Sequence, residues 1–166
     1  MGLLDFLGGA EPGVKPGERA PDFSLPDAEG RSFRLSERRG KTPVVLYFYP
    51  KDDTPGCTKE ACGFRDQYED FVRLGAEVVG VSSDSSASHQ RFAAKHRLPF
   101  TLLADEGGTV RRLYGVPANL GGLIPGRVTF VIDREGVVRH VLNAQLDAKR
   151  HIEESLANLE AQAAGR

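Results

Sequence analysis

Residues 44–62 of the chain read VVLYFYPKDDTPGCTKEAC. The first six residues are rich in β-branched and aromatic side chains, and the run stops at Pro50, which is typical of a strand buried on both faces. A helix is expected next, because Thr54 is a good N-cap residue and Pro55 suits the first helical position. The segment therefore predicts a buried strand, a short loop and a helix that contains Cys57 in its first turn.

The rest of the chain continues this alternation. The helix that contains Cys57 is expected to end at Gly75, and its inner face consists of apolar residues three and four positions apart: Ala61, Phe64, Tyr68 and Phe71. Further apolar runs predict strands at 78–81, 100–103, 127–132 and 137–142. Further helices are predicted after the serine-rich segment 82–88, at 109–114 and from Asp147 onward.

Two shorter features complete the pattern. Residues 22–25 and 31–35 flank a turn-rich stretch and predict a small hairpin, while residues 116–126 are rich in Gly and Pro and predict a surface loop. The whole pattern predicts an α/β fold with a central mixed β-sheet flanked by helices and an N-terminal β-hairpin extension.

The length and net charge of the chain limit the number of domains and the kinds of partner that we expect. The chain has 166 residues and a net charge of −1, so we expect one domain over residues 19–166, preceded by a flexible N-terminal arm over residues 1–18. The balanced charge argues against a nucleic-acid partner. The sequence has no apolar stretch of about 20 residues and no secretory signal pattern, so we expect no membrane association and a cytoplasmic location.

Cys57 is the first chemically informative residue. In the first helical turn its sulfur lies at the positive end of the helix dipole, near backbone amides that have no partner within the helix. This position favours the thiolate form, which is the nucleophilic form of cysteine. Because activation of the thiol alone gives only a modest rate gain, the site must also orient its substrate.

The spacing of Cys57 and Cys62 is the second informative feature. On one continuous helix, five residues place their Cα atoms about 8–9 Å apart, whereas a disulfide needs less than about 7 Å. The two residues can therefore bond only if the first helical turns unwind. Gly63 favours this, since glycine lowers helix propensity by about 1 kcal/mol relative to alanine.

Two cysteines in one chain can also serve simpler purposes. They could be structural residues of a buried core. A zinc site would need four ligands, and no histidine or further cysteine lies nearby in the sequence. A thioredoxin-type dithiol normally has two residues between its cysteines, and here there are four. We therefore expect neither a zinc site nor a thioredoxin-type dithiol at these cysteines.

The residues around Cys57 resemble a motif of a known protein family. The motif Pro50-x-x-x-Thr54-x-x-Cys57 is similar to the peroxidatic motif of peroxiredoxins, and the string that extends to Cys62 looks like the bacterioferritin comigratory protein, or peroxiredoxin Q, branch. The resemblance extends from Ala20 to the C-terminal helix. It implies a thioredoxin-like fold.

The resemblance also implies roles for individual residues. Cys57 matches the peroxidatic cysteine and Cys62 the resolving cysteine. Thr54 matches the hydroxyl that binds the thiolate and the peroxide, and Arg127 matches the arginine that holds the thiolate and polarises the peroxide. Pro50 matches the proline that shields the pocket. Phe48 and Glu60 are further expected around the substrate pocket.

The implied activity is that of a thiol peroxidase. Cys57 would reduce hydrogen peroxide or organic hydroperoxides, a Cys57–Cys62 disulfide would form within the chain, and thioredoxin or a similar dithiol protein would reduce it. The implied cycle needs no metal and no organic cofactor. A monomer is expected, because both cysteines belong to one chain. A general thiol–disulfide exchange protein and a redox sensor remain the alternatives.

Three further predictions concern charged residues. Glu60 either contacts the active-site arginine or is a solvated acid that the helix dipole favours. His89 lies in a string, residues 88–92, that resembles a recurrent pattern of the same family, but we predict that it simply lies on a helix surface. Arg111 and Arg112, like other paired basic residues of the chain, are predicted to be solvated.

Overall fold

The computed structural model of the protein describes residues 12–119 and 122–165. Its strands are, in chain order, β1 (Ser24–Pro26), β2 (Ser32–Arg34), β3 (Val44–Phe48), β4 (Glu77–Ser82), β5 (Thr101–Ala104), β6 (Ala118–Asn119), β7 (Ile124–Pro125), β8 (Val128–Ile132) and β9 (Val138–Asn143). Its α-helices are α1 (Pro55–Asp66), α2 (Tyr68–Arg73), α3 (Ser86–His96), α4 (Thr109–Leu113) and α5 (Ala148–Ala164).

Five strands form the central sheet in the order β5-β4-β3-β8-β9. Strands β3, β4 and β5 are parallel, whereas β8 is antiparallel to β3 and β9 is antiparallel to β8. This confirms the predicted mixed sheet. The predicted N-terminal hairpin is also confirmed, as the antiparallel pair β1 and β2.

Strand β3 lies at the centre of the molecule and is buried along its whole length. On one face Val45 and Tyr47 pack in a core cluster with residues of α1, α3 and α5. On the other face Leu46 and Phe48 pack in a second cluster with the hairpin and α4. The sheet is therefore covered on both sides, and the segment that follows β3 emerges at the edge where α1 begins.

The predicted helix from Pro55 to Gly75 is wrong in one respect, because it breaks at Gln67 into α1 and α2. On a continuous helix, Phe64 and Phe71 would be about 10.5 Å apart along the axis. The break instead brings their ring centroids to 5.5 Å in the same core cluster. The break thus allows the two aromatic rings to pack against each other in the core.

Two loop predictions also need correction. Residues 12–18 were expected to belong to a flexible arm, but the N–H groups of Gly13 and Gly17 donate to the carbonyls of Gly115 and Val138. The remainder of that arm, residues 1–11, lies outside the described residues. The predicted loop 116–126 contains the short antiparallel pair β6 and β7. Among the described helices, none is long and apolar enough to cross a membrane.

Candidate active site

Cys57 occupies the third residue of α1, as predicted, and its side chain is only 1% exposed. Thr54 is the N-cap residue and Pro55 follows it at the first helical position. The Thr54 hydroxyl does not cap the helix but donates to the carbonyl oxygen of Lys51 at 2.8 Å. Its oxygen lone pairs are therefore left to accept a further hydrogen bond beside the start of α1.

Arg127 reaches Cys57 from the neighbouring strand. Residue 127 directly precedes β8, and the pairing of Phe48 with Val128 places it next to the end of β3. Its Nη2 donates to Cys57 Sγ at 3.3 Å, and its Nε donates to the carbonyl oxygen of Gln145 at 2.9 Å. The guanidinium is nearly buried, so its charge acts on the sulfur with little screening by water.

Gly56 makes the approach of Arg127 possible. A Cβ atom at this position would lie 2.9 Å from Arg127 Nη2, which is closer than real Cβ atoms come to other heavy atoms. A side chain here would therefore push the guanidinium away from Cys57. Gly56 lies between the helix N-terminus and the cysteine for this steric reason, which the sequence alone did not indicate.

Glu60 is fully buried and bonded to the arginine. Its Oε1 accepts from Arg127 Nη1 at 2.7 Å, so of the two alternatives the contact with the arginine is correct. Burial raises the pKa of Glu60 to about 7, although the charge of Arg127 works in the opposite direction. Because Arg127 is bound by Glu60 and by the Gln145 carbonyl, its guanidinium is held in one orientation toward Cys57.

A histidine lies behind this ion pair. His151 Nδ1 is 3.5 Å from Glu60 Oε2. Its Nε2 donates to the Ala144 carbonyl, so Nδ1 accepts from the Thr129 hydroxyl at 2.7 Å when the ring is neutral. Burial lowers the pKa of His151 to about 4, which keeps the ring neutral near pH 7. Glu60 therefore has Arg127 as its charged partner at that pH, and no local sequence pattern had pointed to His151.

The structure separates Phe48 from the other predicted pocket residues. Phe48 is fully buried and stacks edge-on against Phe130 in the cluster on the opposite face of the sheet from Cys57. Side chains alternate between the two faces of a strand, so Tyr47 and Tyr49, not Phe48, share the core cluster of Cys57. Pro50 follows Tyr49 and is half-buried.

Cys62 lies further along α1 and is half-buried. It lines a surface groove between α1 and α5 together with Gly63, Ile152 and Leu156. Both cysteines are free thiols in this structure. A Cβ atom on Gly63 would lie 2.9 Å from Ile152 Cδ1, so the glycine permits close packing of α1 on α5 in addition to lowering helix propensity.

Two predictions about exposed charges are wrong. His89 is completely buried, not on a helix surface, and its Nε2 donates to the Leu103 carbonyl at 2.9 Å. Arg111 is not solvated, because it donates to the carbonyl oxygens of Tyr49 and Gly126 at 2.7 and 3.0 Å. In both cases the bonding partner lies far away in the sequence. Arg111 thereby joins the segment after β3 to the segment that carries Arg127.

One group of side chains in the described part of the chain has the spacing of a metal site. The ligand atoms of Asp52, Asp84 and His89 lie within 4.8 Å of one another. These atoms already accept or donate hydrogen bonds within the protein: Asp52 with Tyr49 and Ser88, Asp84 with Ser82, and His89 with Leu103. The arrangement is that of a hydrogen-bonded network, and the absence of a cofactor stays a prediction.

A buried cysteine at a helix start, with an arginine donating to its sulfur, is the arrangement of a thiol peroxidase of the peroxiredoxin class. Residues 16–141 match the model of the AhpC/TSA family, and the chain belongs to that family. It is a thiol-dependent peroxidase, as predicted.

The relatives define the branch more narrowly. The chain is 56% identical over 147 residues to "Peroxiredoxin Q, chloroplastic" of Sedum lineare, covering 89% of this chain and 78% of that protein. It is 54% identical over 147 residues to the protein of the same name from Populus jackii, covering 89% and 68% of the two chains. The predicted resemblance to the peroxiredoxin Q branch is confirmed.

Solved structures agree with this assignment. The peroxidoxin BcpB of Mycobacterium tuberculosis superposes with a TM-score of 0.82 at 41% identity, covering 89% of this chain and 97% of that one. The bacterioferritin comigratory protein of Xanthomonas campestris, whose structure was described together with its alkyl peroxide reduction activity, gives a TM-score of 0.80 at 32% identity. That match covers 92% of this chain and 99% of the other. The predicted thioredoxin-like fold is confirmed.

Proposed function

We propose that Cys57 is the peroxidatic nucleophile and that the protein reduces hydrogen peroxide and organic hydroperoxides. The observation that carries this proposal is the hydrogen bond from Arg127 Nη2 to Cys57 Sγ at 3.3 Å. A fixed cation and the start of a helix both stabilise negative charge on the sulfur. The alkyl peroxide reduction activity of the Xanthomonas campestris relative supports organic hydroperoxides as substrates.

In the first step the thiolate of Cys57 attacks one peroxide oxygen. An S–O bond forms as the O–O bond breaks, so the sulfur loses two electrons and becomes a sulfenic acid. The departing oxygen takes up a proton and leaves as water or an alcohol. The forked N–H donors of Arg127 can polarise the O–O bond, and the Thr54 hydroxyl can accept from the peroxide O–H, which supports roles for both residues.

In the second step Cys62 condenses with the sulfenic acid. The thiol of Cys62 displaces water, and a disulfide forms within the chain. Ideal helix geometry places the two Cα atoms about 8–9 Å apart, so α1 must unwind locally before the sulfur atoms can meet. A bridge formed in this way is strained, which favours its reduction.

In the third step a dithiol protein such as thioredoxin reduces the Cys57–Cys62 disulfide. The thiol-dependent activity of the family supports a thiol reductant, and we propose the dithiol protein as its finer identity. We further propose that the enzyme is a cytoplasmic monomer with no nucleic-acid or membrane partner. Both cysteines belong to one helix, which supports a cycle that needs no second chain.

The experiment is a free-thiol count and intact mass after one equivalent of hydrogen peroxide is added to the reduced protein. We expect both thiols to disappear within seconds in a monomeric species whose mass falls by two hydrogens. The Cys57→Ser variant should not consume peroxide, because the nucleophile is missing. The Cys62→Ser variant should gain one oxygen on Cys57 and should not be recycled by thioredoxin.

Two results would contradict the proposal. If Cys57→Ser consumed peroxide at the wild-type rate, Cys57 would not be the nucleophile. If the wild-type protein ignored peroxide for minutes but exchanged disulfides with other proteins, the general thiol–disulfide exchange function would replace the peroxidase.

A further inference from the structure

Asp52 lies in the loop between β3 and α1, two residues before Thr54, and is buried although it does not touch Cys57. Three side chains converge on its carboxylate. Tyr49 Oη donates to Oδ1 at 2.5 Å, Ser88 Oγ donates to Oδ2 at 2.8 Å, and His89 Nδ1 lies 2.7 Å from Oδ2. Burial of a carboxyl group is costly unless it is hydrogen-bonded, so these three partners offset that cost.

His89 has a hydrogen-bond partner at each of its ring nitrogens. His89 Nε2 faces the Leu103 carbonyl oxygen at 2.9 Å, and a carbonyl oxygen can only accept. His89 Nδ1 faces Asp52 Oδ2, which already accepts from the Ser88 hydroxyl. The ring of His89 therefore links the Asp52 carboxyl group to the backbone of β5. The pair is buried, so water does not compete for its hydrogen bonds.

The loop backbone is bound to the same part of the molecule. The N–H of Asp52 donates to Asp84 Oδ2 at 2.8 Å, and Asp84 precedes α3. The neighbouring Asp53 pairs with Lys95 of α3 at the surface, where an ion pair contributes little to holding the loop. These partners, like Ser88 and His89, belong to α3 or to the segment before it, not to α1 or α5. The loop is thus attached to elements other than α1, the helix that unwinds in the proposed cycle.

We propose that Asp52, through its buried hydrogen bond with His89, is a positioning residue for peroxide reduction. It holds residues 50–54 on α3 throughout the cycle, so that unwinding of α1 starts after Thr54. When the disulfide is reduced, the first turn then re-forms from a fixed starting point. The inference deepens the proposed function and rests on it, because it assumes that Cys57 reacts and that α1 unwinds.

The test compares Asp52→Ala with a matched control, Asp53→Asn. Asp53 is adjacent and acidic but exposed, and its backbone has φ 60°, which asparagine tolerates well. For each variant we would measure the second-order rate of Cys57 oxidation by hydrogen peroxide in stopped flow and the rate of the later disulfide step. Residue-resolved amide exchange would be measured in the reduced and the disulfide forms.

We expect Asp52→Ala to slow Cys57 oxidation by about tenfold or more, because small displacements of a reacting group have effects of this size. The disulfide step should not slow. Amide exchange at residues 52–54 should accelerate in both redox forms, while strands β3 and β8 keep wild-type protection. Asp53→Asn should change the oxidation rate by less than about twofold, as an exposed ion pair contributes little.

Two outcomes would overturn the inference. One is a wild-type oxidation rate together with unchanged exchange at residues 52–54 in Asp52→Ala. The other is exchange that accelerates equally in β3 and β8, which would mean that Asp52 only stabilises the whole domain. If Asp52→Ala does not fold, Tyr49→Phe removes a single donor to the carboxylate. It should slow oxidation by about threefold and loosen residues 52–54, and no change in either would also overturn the inference.

Failure of the proposed function can be told apart from failure of this inference. If the wild-type protein does not react with peroxide, the peroxidase proposal fails. Exchange in the reduced form of Asp52→Ala still decides whether Asp52 fixes the loop, because that comparison requires no peroxide.

Discussion

The start and the middle of helix α1 are held in the structure by different forces. At the start, Arg127 donates to Cys57 Sγ and forms a buried ion pair with Glu60. In the middle, next to Cys62, the contact is apolar and depends on the close approach of Gly63 to Ile152 of α5. One helix thus joins a segment fixed by directional charged bonds to a segment fixed by packing.

The difference matches what the two cysteines have to do. Charged hydrogen bonds are strong only in one geometry, so they hold the sulfur of Cys57 in place for its reaction. Packing contacts are individually weak and have no strict direction, so the helix around Cys62 can separate from α5 and return. Cys57 is therefore held by directional bonds, which suit a residue that reacts in place. The helix around Cys62 is held by packing, which suits a segment that has to move. Three substitutions test this division.

The largest effect is expected from Arg127→Lys. Lysine keeps the charge but offers a compact ammonium group, which cannot donate to Cys57, Glu60 and the Gln145 carbonyl in the same fixed geometry. The second-order rate of Cys57 oxidation should fall by about 10²–10³-fold, the size expected for loss of an oriented donor. Stopped-flow oxidation by hydrogen peroxide measures it.

The exposed residue Arg112 provides the control for this substitution. Arg112→Lys should leave the oxidation rate unchanged, because the side chain is exposed and the substitution keeps its charge. A loss of less than about tenfold in Arg127→Lys would show that charge alone, not orientation, supports the thiolate.

The second effect concerns the pH dependence of stability. Burial raises the pKa of Glu60 from 4.5 to about 7, so the folded state holds a proton that the unfolded state has released between these values. The stabilising contribution is fully present below pH 4.5 and is lost as the pH rises through 7. Relative to Glu60→Gln, the wild-type free energy of unfolding should fall by about 3 kcal/mol over this range. Urea unfolding at several pH values measures the difference.

Glu154 offers a control of opposite sign. Partial burial raises the pKa of Glu154, but hydrogen bonds from Arg150 and His140 outweigh burial and lower it overall. Its stabilising contribution is therefore present above its ordinary pKa and is lost as the pH falls.

One result would contradict the Glu60 prediction. If Glu60→Gln and the wild type respond to pH in parallel between 4.5 and 7, Glu60 is ionised throughout.

The smallest effect is expected in the middle of α1. Gly63→Ala raises helix propensity by about 1 kcal/mol, but the new Cβ would lie 2.9 Å from Ile152 Cδ1. We expect the packing loss to exceed the gain, lowering the free energy of unfolding by about 1 kcal/mol. Ile152→Val removes Cδ1 and should relieve the clash, so a double-mutant cycle should give a coupling of about 1 kcal/mol.

The same pair of variants also tests the unwinding of α1. In the Ile152→Val background, Gly63→Ala should slow formation of the Cys57–Cys62 disulfide about fivefold, because a better helix former resists unwinding. The sulfenic acid step should keep its rate, since Gly63 does not contact Cys57. An unchanged disulfide rate would mean that the helix near Gly63 does not have to unwind.

Local patterns in the sequence were sufficient for the frame of the site. The apolar run of β3, the N-cap Thr54 and Pro55 together predicted the start of α1 and the position of Cys57, and the structure agrees. These features depend on backbone preferences of neighbouring residues, so a single sequence carries them. The mixed sheet followed from the alternation of strands and helices for the same reason.

Errors arose where a polar residue found a distant partner. His89 was predicted to lie on a helix surface, but it is completely buried. Its bond to Asp52 joins positions 37 residues apart in the sequence. Arg111 was likewise predicted to be solvated, although it donates to two distant carbonyl oxygens. Phe48 was assigned to the pocket because strand periodicity alone does not tell which face of β3 meets α1. The apolar periodicity predicted one continuous helix, but the helix is interrupted at Gln67.

The sequence by itself determined the chemistry of this protein: a cysteine in the first turn of a helix, a second cysteine five residues later, and a fold able to bury the first of them. Only the tertiary structure decided how the charges are arranged, since Glu60 and Arg127 lie 67 residues apart in the sequence and meet at 2.7 Å. The physical reason is that helix starts and strands follow from local backbone energies. Pairing of buried charges depends instead on which distant elements the folded core brings into contact.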